Sequence, residues 1–141
     1  MKEIVLEAVV DEGASIPMRA HKADAGLDLY AKHDGWILPK CRKSFDTGFH
    51  CAIPRGYVGM LTSKSGLMLK GITSRGTIDS GYTGSIKAVL YNHSWLPVKI
   101  NKWQKITQLV VMPIVTPDLR LVDSLGTTDR ADGGFGSTGK Y

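Results

Sequence analysis

The apolar runs of this chain are short, and turn-forming residues interrupt them at regular intervals. EIVLEAVV (3–10), GWIL (35–38), FHCAI (49–53), YVGMLTS (57–63), SIKAVLYN (85–92), ITQLVVMPIV (106–115) and DLRLV (118–122) are rich in residues that suit a pleated surface. Between them stand Pro39-Lys40, Pro54-Arg55-Gly56, Asp79-Ser80-Gly81 and Pro117-Asp118. A 3.6-residue period is nearly absent, and LMLKGI (67–72) has room for one helical turn at most. The pattern predicts an all-β domain: a sandwich, jelly roll or small barrel.

With 141 residues, 43% of them hydrophobic, the chain has material for one domain with a packed core. From Asp123 onward Gly, Ser, Thr and Asp take over, so 1–122 reads as the core and 123–141 as a tail that is mobile unless bound. Eighteen Lys and Arg against thirteen Asp and Glu suggest a polyanionic partner: nucleic acid, a membrane surface or a phosphorylated small molecule. The two cysteines, Cys41 and Cys51, lack CxxC spacing and point to a reducing compartment. Glu3 and Glu7 interrupt the first apolar run, which argues against a signal peptide, and no stretch nears the ~20 apolar residues of a membrane span. The expectation is a cytoplasmic protein.

Five stretches hold groups with chemical potential. In ADAGLDLYA (23–31) Gly26 suits a tight turn into a strand, with Leu27 and Leu29 on one face and Asp28 on the other, where an acid is ordinarily solvated. In TSKSGLMLKG (62–71) Lys64, Ser65 and Gly66 can present donors to an anion or form a plain polar turn. RGTIDSGYTGS (75–85) combines an inward Ile78, an outward Asp79, an aromatic Tyr82 and the bends that Gly76, Gly81 and Gly84 allow. In KITQLV (105–110) Ile106 and Leu109 face the core, while Gln108 either pairs within the fold or touches a ligand. The tail, DRADGGFGSTGKY, carries Arg130 as a fork for phosphate oxygens, Phe135 as a stacking surface, and the hydroxyls of Ser137 and Thr138 beside Gly136. GFGSTGK has the spacing of a P-loop, but Tyr141 follows where a magnesium-holding Ser or Thr belongs.

In order and content these stretches resemble the five motifs of the trimeric dUTP pyrophosphatases: AGLDLYA, SKSGL, GTIDSGYTG, KITQLV and RADGGFGSTG. The resemblance implies a jelly-roll-like distorted β-barrel, a homotrimer with shared active sites, and Mg²⁺-dependent hydrolysis of dUTP to dUMP and pyrophosphate. It implies Asp79 as general base, Asp28 in water-mediated contact with Mg²⁺, and Lys64, Ser65, Gly66 and Gln108 on phosphate. It further implies that Gly76, Thr77 and Ile78 lend backbone to the uracil edge and that Tyr82 packs under the deoxyribose. Phe135 would stack over uracil, with Arg130, Gly136, Ser137 and Thr138 closing on the γ-phosphate as a lid.

The chain departs from the family pattern in three places: Lys64 stands for the commoner Arg, Ser85 for an acid or amide, and Ala23-Asp24 opens the first motif. Deamination of dCTP, a reaction of the same fold, needs a glutamate where this chain has Val89. A nucleotide-binding regulator of a partner protein, phage-borne or not, is the alternative from another class. Nucleic-acid binding through Lys40-Cys41-Arg42-Lys43 lacks interleaved aromatic residues in that run, so no specific nucleic-acid partner is expected.

Overall fold

The computed structural model describes residues 3–141. Eleven strands and one helical turn follow the chain: β1 (Glu7–Val10), β2 (Gly26–Tyr30), β3 (Gly35–Ile37), β4 (Arg42–Asp46), β5 (Phe49–Ala52), β6 (Tyr57–Thr62), α1 (Ser65–Met68), β7 (Ile72–Ser74), β8 (Gly76–Ile78), β9 (Lys87–Asn92), β10 (Val98–Ile100) and β11 (Lys105–Pro113). All pairings are antiparallel, in a four-stranded sheet of order β2-β11-β6-β8, a three-stranded sheet β4-β9-β7, and the pairs β1-β5 and β10-β3. The all-β expectation holds. No helix among the described residues is long and apolar enough to cross a membrane.

Alternation along the strands builds the core. In β9 Ala88 and Leu90 point inward and Lys87 and Tyr91 outward, the period of a strand with one face on the core. Two apolar clusters result. One gathers Ile37, Phe45, Ile72, Leu90, Ile100 and Ile106, and the other Leu29, Phe49, Leu61, Ile78, Ile86 and Leu109. Each fully buried aliphatic side chain contributes about 1.5–3 kcal/mol relative to exposure, so these rows fix the barrel.

The sequence expectations fail at several elements. The first run is a strand only over Glu7–Val10, and the helical turn sits at Ser65–Met68 because Ile72 already enters β7. β4, β7 and β10 escape the apolar-run reading; only Phe45 of β4 is buried, and the other two are three residues long. DLRLV (118–122) forms no strand: Leu119 and Leu121 are exposed, and among the described residues no backbone edge pairs with them.

Candidate active site

Asp28 is 4% exposed, not on a solvated face as expected from the strand pattern. A buried carboxylate requires partners, and two lysines supply them. Lys64 Nζ donates to Oδ1 at 2.6 Å, and Lys105 Nζ lies 3.3 Å from Oδ2. Two ammonium groups against one carboxylate leave a surplus positive charge, which favours an incoming anion.

Lys105 reaches Asp28 through a β-bulge. Between Lys105 and Thr107 the β11–β2 register shifts, so that Lys105 stands opposite Tyr30, on the face that Tyr30 shares with Asp28. Without the extra residue Lys105 would project from the other face. Gln108 stands opposite Asp28, and its Nε2 leans toward the Ser63 carbonyl at 3.4 Å. Gly26 makes room for it: a Cβ there would lie 2.5 Å from Gln108 Oε1. The glycine is therefore needed for close approach rather than for the turn its sequence context suggests. Ser65 and Gly66, at the start of α1, are exposed beside Lys64. Next to this wall opens a cleft of about 590 Å³ lined by Thr62, Ser63, Ser74, Arg75 and Gln108 among others. The buried Ser74 hydroxyl has no hydrogen-bond partner there.

The hairpin after β8 is built differently. Gly76 and Thr77 pair with Leu61 and Met60, and Ile78 is buried opposite Gly59, so the polypeptide reaches Asp79 on a fixed strand. Tyr82 N–H donates to the Asp79 carbonyl at 3.2 Å and closes the turn, with Gly81 at φ 95°. The Tyr82 ring lies over Gly84, where a Cβ would meet its hydroxyl at 2.6 Å, and that hydroxyl donates to the Ser85 carbonyl at 2.9 Å. Asp79 itself is exposed, and among the described residues no hydrogen bond or ion pair engages its carboxylate.

The outgoing limb of the hairpin is tied to the β4–β5 turn. Ser85 Oγ donates to the Asp46 carboxylate. Burial pushes the Asp46 carboxyl up, but the Ser85 hydroxyl, the Gly48 N–H and Lys32 outweigh it and hold it below the ordinary carboxylate range. The serine that departs from the family pattern thus anchors the hairpin. His50 Nδ1 lies 2.9 Å from the Thr83 carbonyl and Nε2 lies 3.1 Å from Asp11 Oδ1.

The tail takes no part in this wall. Arg130 Nε donates to the Gly133 carbonyl at 2.8 Å, and the remaining hydrogen bonds of 128–139 likewise close local turns. Phe135 is fully exposed, as are Gly136, Ser137 and Thr138. Nor do Asp28 and Asp79 converge. They belong to opposite edges of the four-stranded sheet, two strands intervening. That is about 14 Å across, with Ile78 offset from Asp28's row by about 10 Å along the strands. One chain therefore presents three separated parts of a site. Lys105, Ser74 and Arg75 belong to these parts and had no sequence signal of their own.

Among the described residues no three His, Cys, Asp or Glu side chains gather into a metal site. Mg²⁺ ordinarily keeps several waters and takes one or two carboxylates together with substrate phosphates. A lone Asp28 paired with Lys64 and Lys105 fits an ion carried in by a phosphorylated ligand better than a resident one.

A family model described as dUTPase matches residues 12–139. The deoxyuridine 5'-triphosphate nucleotidohydrolase of Corynebacterium jeikeium is 40% identical over 138 residues, covering 92% of this chain and 89% of that protein. Its counterpart from Clostridium tetani is 39% identical, covering 94% of each. Among solved structures, the dUTPase of Staphylococcus bacteriophage 80alpha with dUpNHpp superposes with a TM-score of 0.91 at 29% identity, over 96% of this chain and 99% of that one. A phage phi11 dUTPase, described with a coordinated structural Mg(II) ion, gives 0.81 at 29% identity over 86% of this chain and 99% of that one. The cationic wall, the glycine-bounded hairpin and the glycine-rich tail thus lie within one continuous match: the chain belongs to the dUTPase family.

Proposed function

We propose that this chain hydrolyses dUTP to dUMP and pyrophosphate with Mg²⁺ as cofactor, working as a homotrimer whose sites are shared between copies. The observation that carries the reading is the contrast between a free carboxylate on a fixed hairpin and a cationic wall that no residue of the same chain completes. The exposed apolar residues Ile114, Val115, Leu119, Leu121 and Leu125 support assembly, since none of the described residues covers them.

In this reading Asp79 takes a proton from a water whose oxygen attacks the α-phosphorus. The bridging P–O bond to the β-phosphate breaks, and pyrophosphate leaves with the electron pair. Lys64, Ser65, Gly66 and Gln108 hold phosphate oxygens, with Lys105 adding charge behind Asp28. Asp28, through water, together with the substrate phosphates would hold Mg²⁺, and the ion would supply neutralisation of the charge on the leaving group. Gly76, Thr77 and Ile78 offer backbone to the uracil edge, and a site built for that donor–acceptor order leaves buried groups unpaired when cytosine enters. Tyr82, pinned over Gly84, supports the sugar. Phe135 stacks on the base while Arg130, Gly136, Ser137 and Thr138 close over the γ-phosphate.

Val89, half-buried on β9, has no proton to shuttle, so deamination is not the reading favoured. Free thiols at Cys41 and Cys51 suit a cytoplasmic setting. Pyrophosphate release from dUTP, dTTP, dCTP and UTP, measured side by side with sedimentation of the same sample, tests the proposal. Selective turnover of dUTP by a trimer is expected; an inert trimer or an active monomer overturns it.

A further inference from the structure

The basic run Lys40-Cys41-Arg42-Lys43 has no part in this reaction. As a sequence it lacks aromatic companions, but the fold supplies them. Arg42 of β4 stands opposite Tyr91 of β9. Tyr91, His93 and Trp95 then step along the end of β9 and its loop at every second residue. Tyr91 and His93 stack with centroids 6.5 Å apart and planes at 20°. Lys40 Nζ sits 4.1 Å from the centroid of the Trp95 ring, which is 80% exposed and so keeps its remaining surface open. A cleft of about 270 Å³ lies among Lys40, Arg42, Tyr91 and His93.

This strip is held in place. The buried Asn92 amide donates to the Ile37 and Leu96 carbonyls at 3.0 and 2.8 Å, and its oxygen accepts from the Ser94 N–H and hydroxyl at 3.0 and 2.7 Å. The loop that carries Trp95 is therefore fixed at both ends. Lys40 occupies the third position of a turn closed by Cys41 N–H to the Leu38 carbonyl, with φ at 59°, where glycine is ordinarily found. Lys40 stands in left-handed backbone, and its ammonium also donates to the His93 carbonyl at 2.5 Å, which ties the turn to the strip. The sequence around it is rich in basic residues, although Asp46 stands opposite Lys87 and Asp28 engages Lys105. Segments 35–45 and 80–117 contain no Asp or Glu but do contain Lys40, Arg42, Lys43, Lys87, Lys99, Lys102 and Lys105.

We propose that this strip binds single-stranded nucleic acid without sequence preference, with Lys40 and Arg42 on phosphates and bases stacked on Trp95 and Tyr91. Alternating cations and aromatic planes match a strand whose base faces are free. In a duplex those faces are already stacked, and a purely acidic partner would have no use for the rings. The strip shares no residue with the proposed catalytic machinery, so its failure and the failure of the dUTP reading are separable.

The test is fluorescence anisotropy with a labelled oligo-dT of about 16 nucleotides, the same length of duplex, and heparin. Binding to oligo-dT above both controls is expected, with quenching of tryptophan emission. Trp95→Ala should weaken oligo-dT binding about tenfold and leave dUTP turnover unchanged. Lys40→Gly with Arg42→Ala should lower the slope of log affinity against log salt by about 1.4; glycine suits the backbone at position 40, so this variant folds even if Trp95→Ala does not. Equal binding to heparin or duplex, affinity unmoved by Trp95→Ala in a folded protein, or binding to anionic vesicles alone would overturn the proposal.

Discussion

Asp28 and Asp79 are carboxylates of one domain held on opposite terms. Asp28 is buried, neutralised by two lysines and held on β2 opposite Gln108 of β11. Asp79 is exposed at the apex of a turn whose backbone is fixed and whose carboxylate is free. A carboxylate whose oxygens are engaged by two ammonium groups is occupied, and it organises a cationic wall. One that is positioned and unoccupied can take a proton from water. The difference supports the roles proposed for them, and each variant below is chosen to break or sharpen it.

The largest effect is expected at Asp79. Asp79→Asn should lower turnover by about 10²–10⁴-fold, the usual worth of a general base, while Mg·dUTP binding and thermal stability stay near those of the parent. Calorimetric binding alongside pyrophosphate release checks both halves, and retained turnover would remove Asp79 from its role. Truncation before Arg130 comes next. The tail makes its contacts within itself, so a folded trimer should remain. Losing an arginine–phosphate contact and a stacked ring costs roughly 2.5–6 kcal/mol in kcat/KM, about seventyfold or more. A truncated protein of full activity would dissolve the lid reading.

Asp28→Asn should instead be felt as stability. Removing one partner of a fully buried pair costs about 3–5 kcal/mol. Here Lys105 is half-exposed, and water relieves the orphaned ammonium. About 2 kcal/mol is therefore expected, read as a lower denaturant midpoint at unchanged slope. A neutral result would show that the pair is held for binding alone. Phe135→Ala should cost about 1–3 kcal/mol in kcat/KM and nothing in melting temperature. Unfolding would place that ring in a core.

How much of this was legible follows from what each residue depends on. β6, β9 and β11 are long, apolar and turn-bounded, and their pattern is decided locally. β4 is an edge strand whose outward Arg42 and Ser44 hide the single inward Phe45, so nothing local separates it from a loop. DLRLV errs the other way. It alternates as a strand should, but a strand is defined by a partner edge, and the described residues offer it none. Asp79 and Tyr82 could be read from glycine spacing because a hairpin is a local object. The Asp28–Lys64–Lys105 cluster joins residues brought together by sheet register and a bulge that no glycine announces. The aromatic neighbours of Lys40 and Arg42 were likewise invisible along the chain, since β4–β9 pairing alone brings them close.

The smallest effect concerns what holds the Asp79 hairpin still. His50 faces an acceptor at each ring nitrogen, the Thr83 carbonyl and the Asp11 carboxylate, and only the doubly protonated imidazolium donates to both. The Thr83 carbonyl first and Asp11 second therefore raise the His50 pKa above its ordinary value. Asp46 also adds attraction, while Lys32 lies near Asp11. Since the folded pKa is the higher one, the tie is fully present below the unfolded value of about 6.5 and fades as pH rises through the folded value. Melting temperatures of the parent and His50→Gln should thus differ most in mild acid and converge with rising pH. A gap that widens toward alkaline pH would mean that the neutral ring carries the contact and that the hairpin owes its rigidity to Ser85 and Asp46 alone.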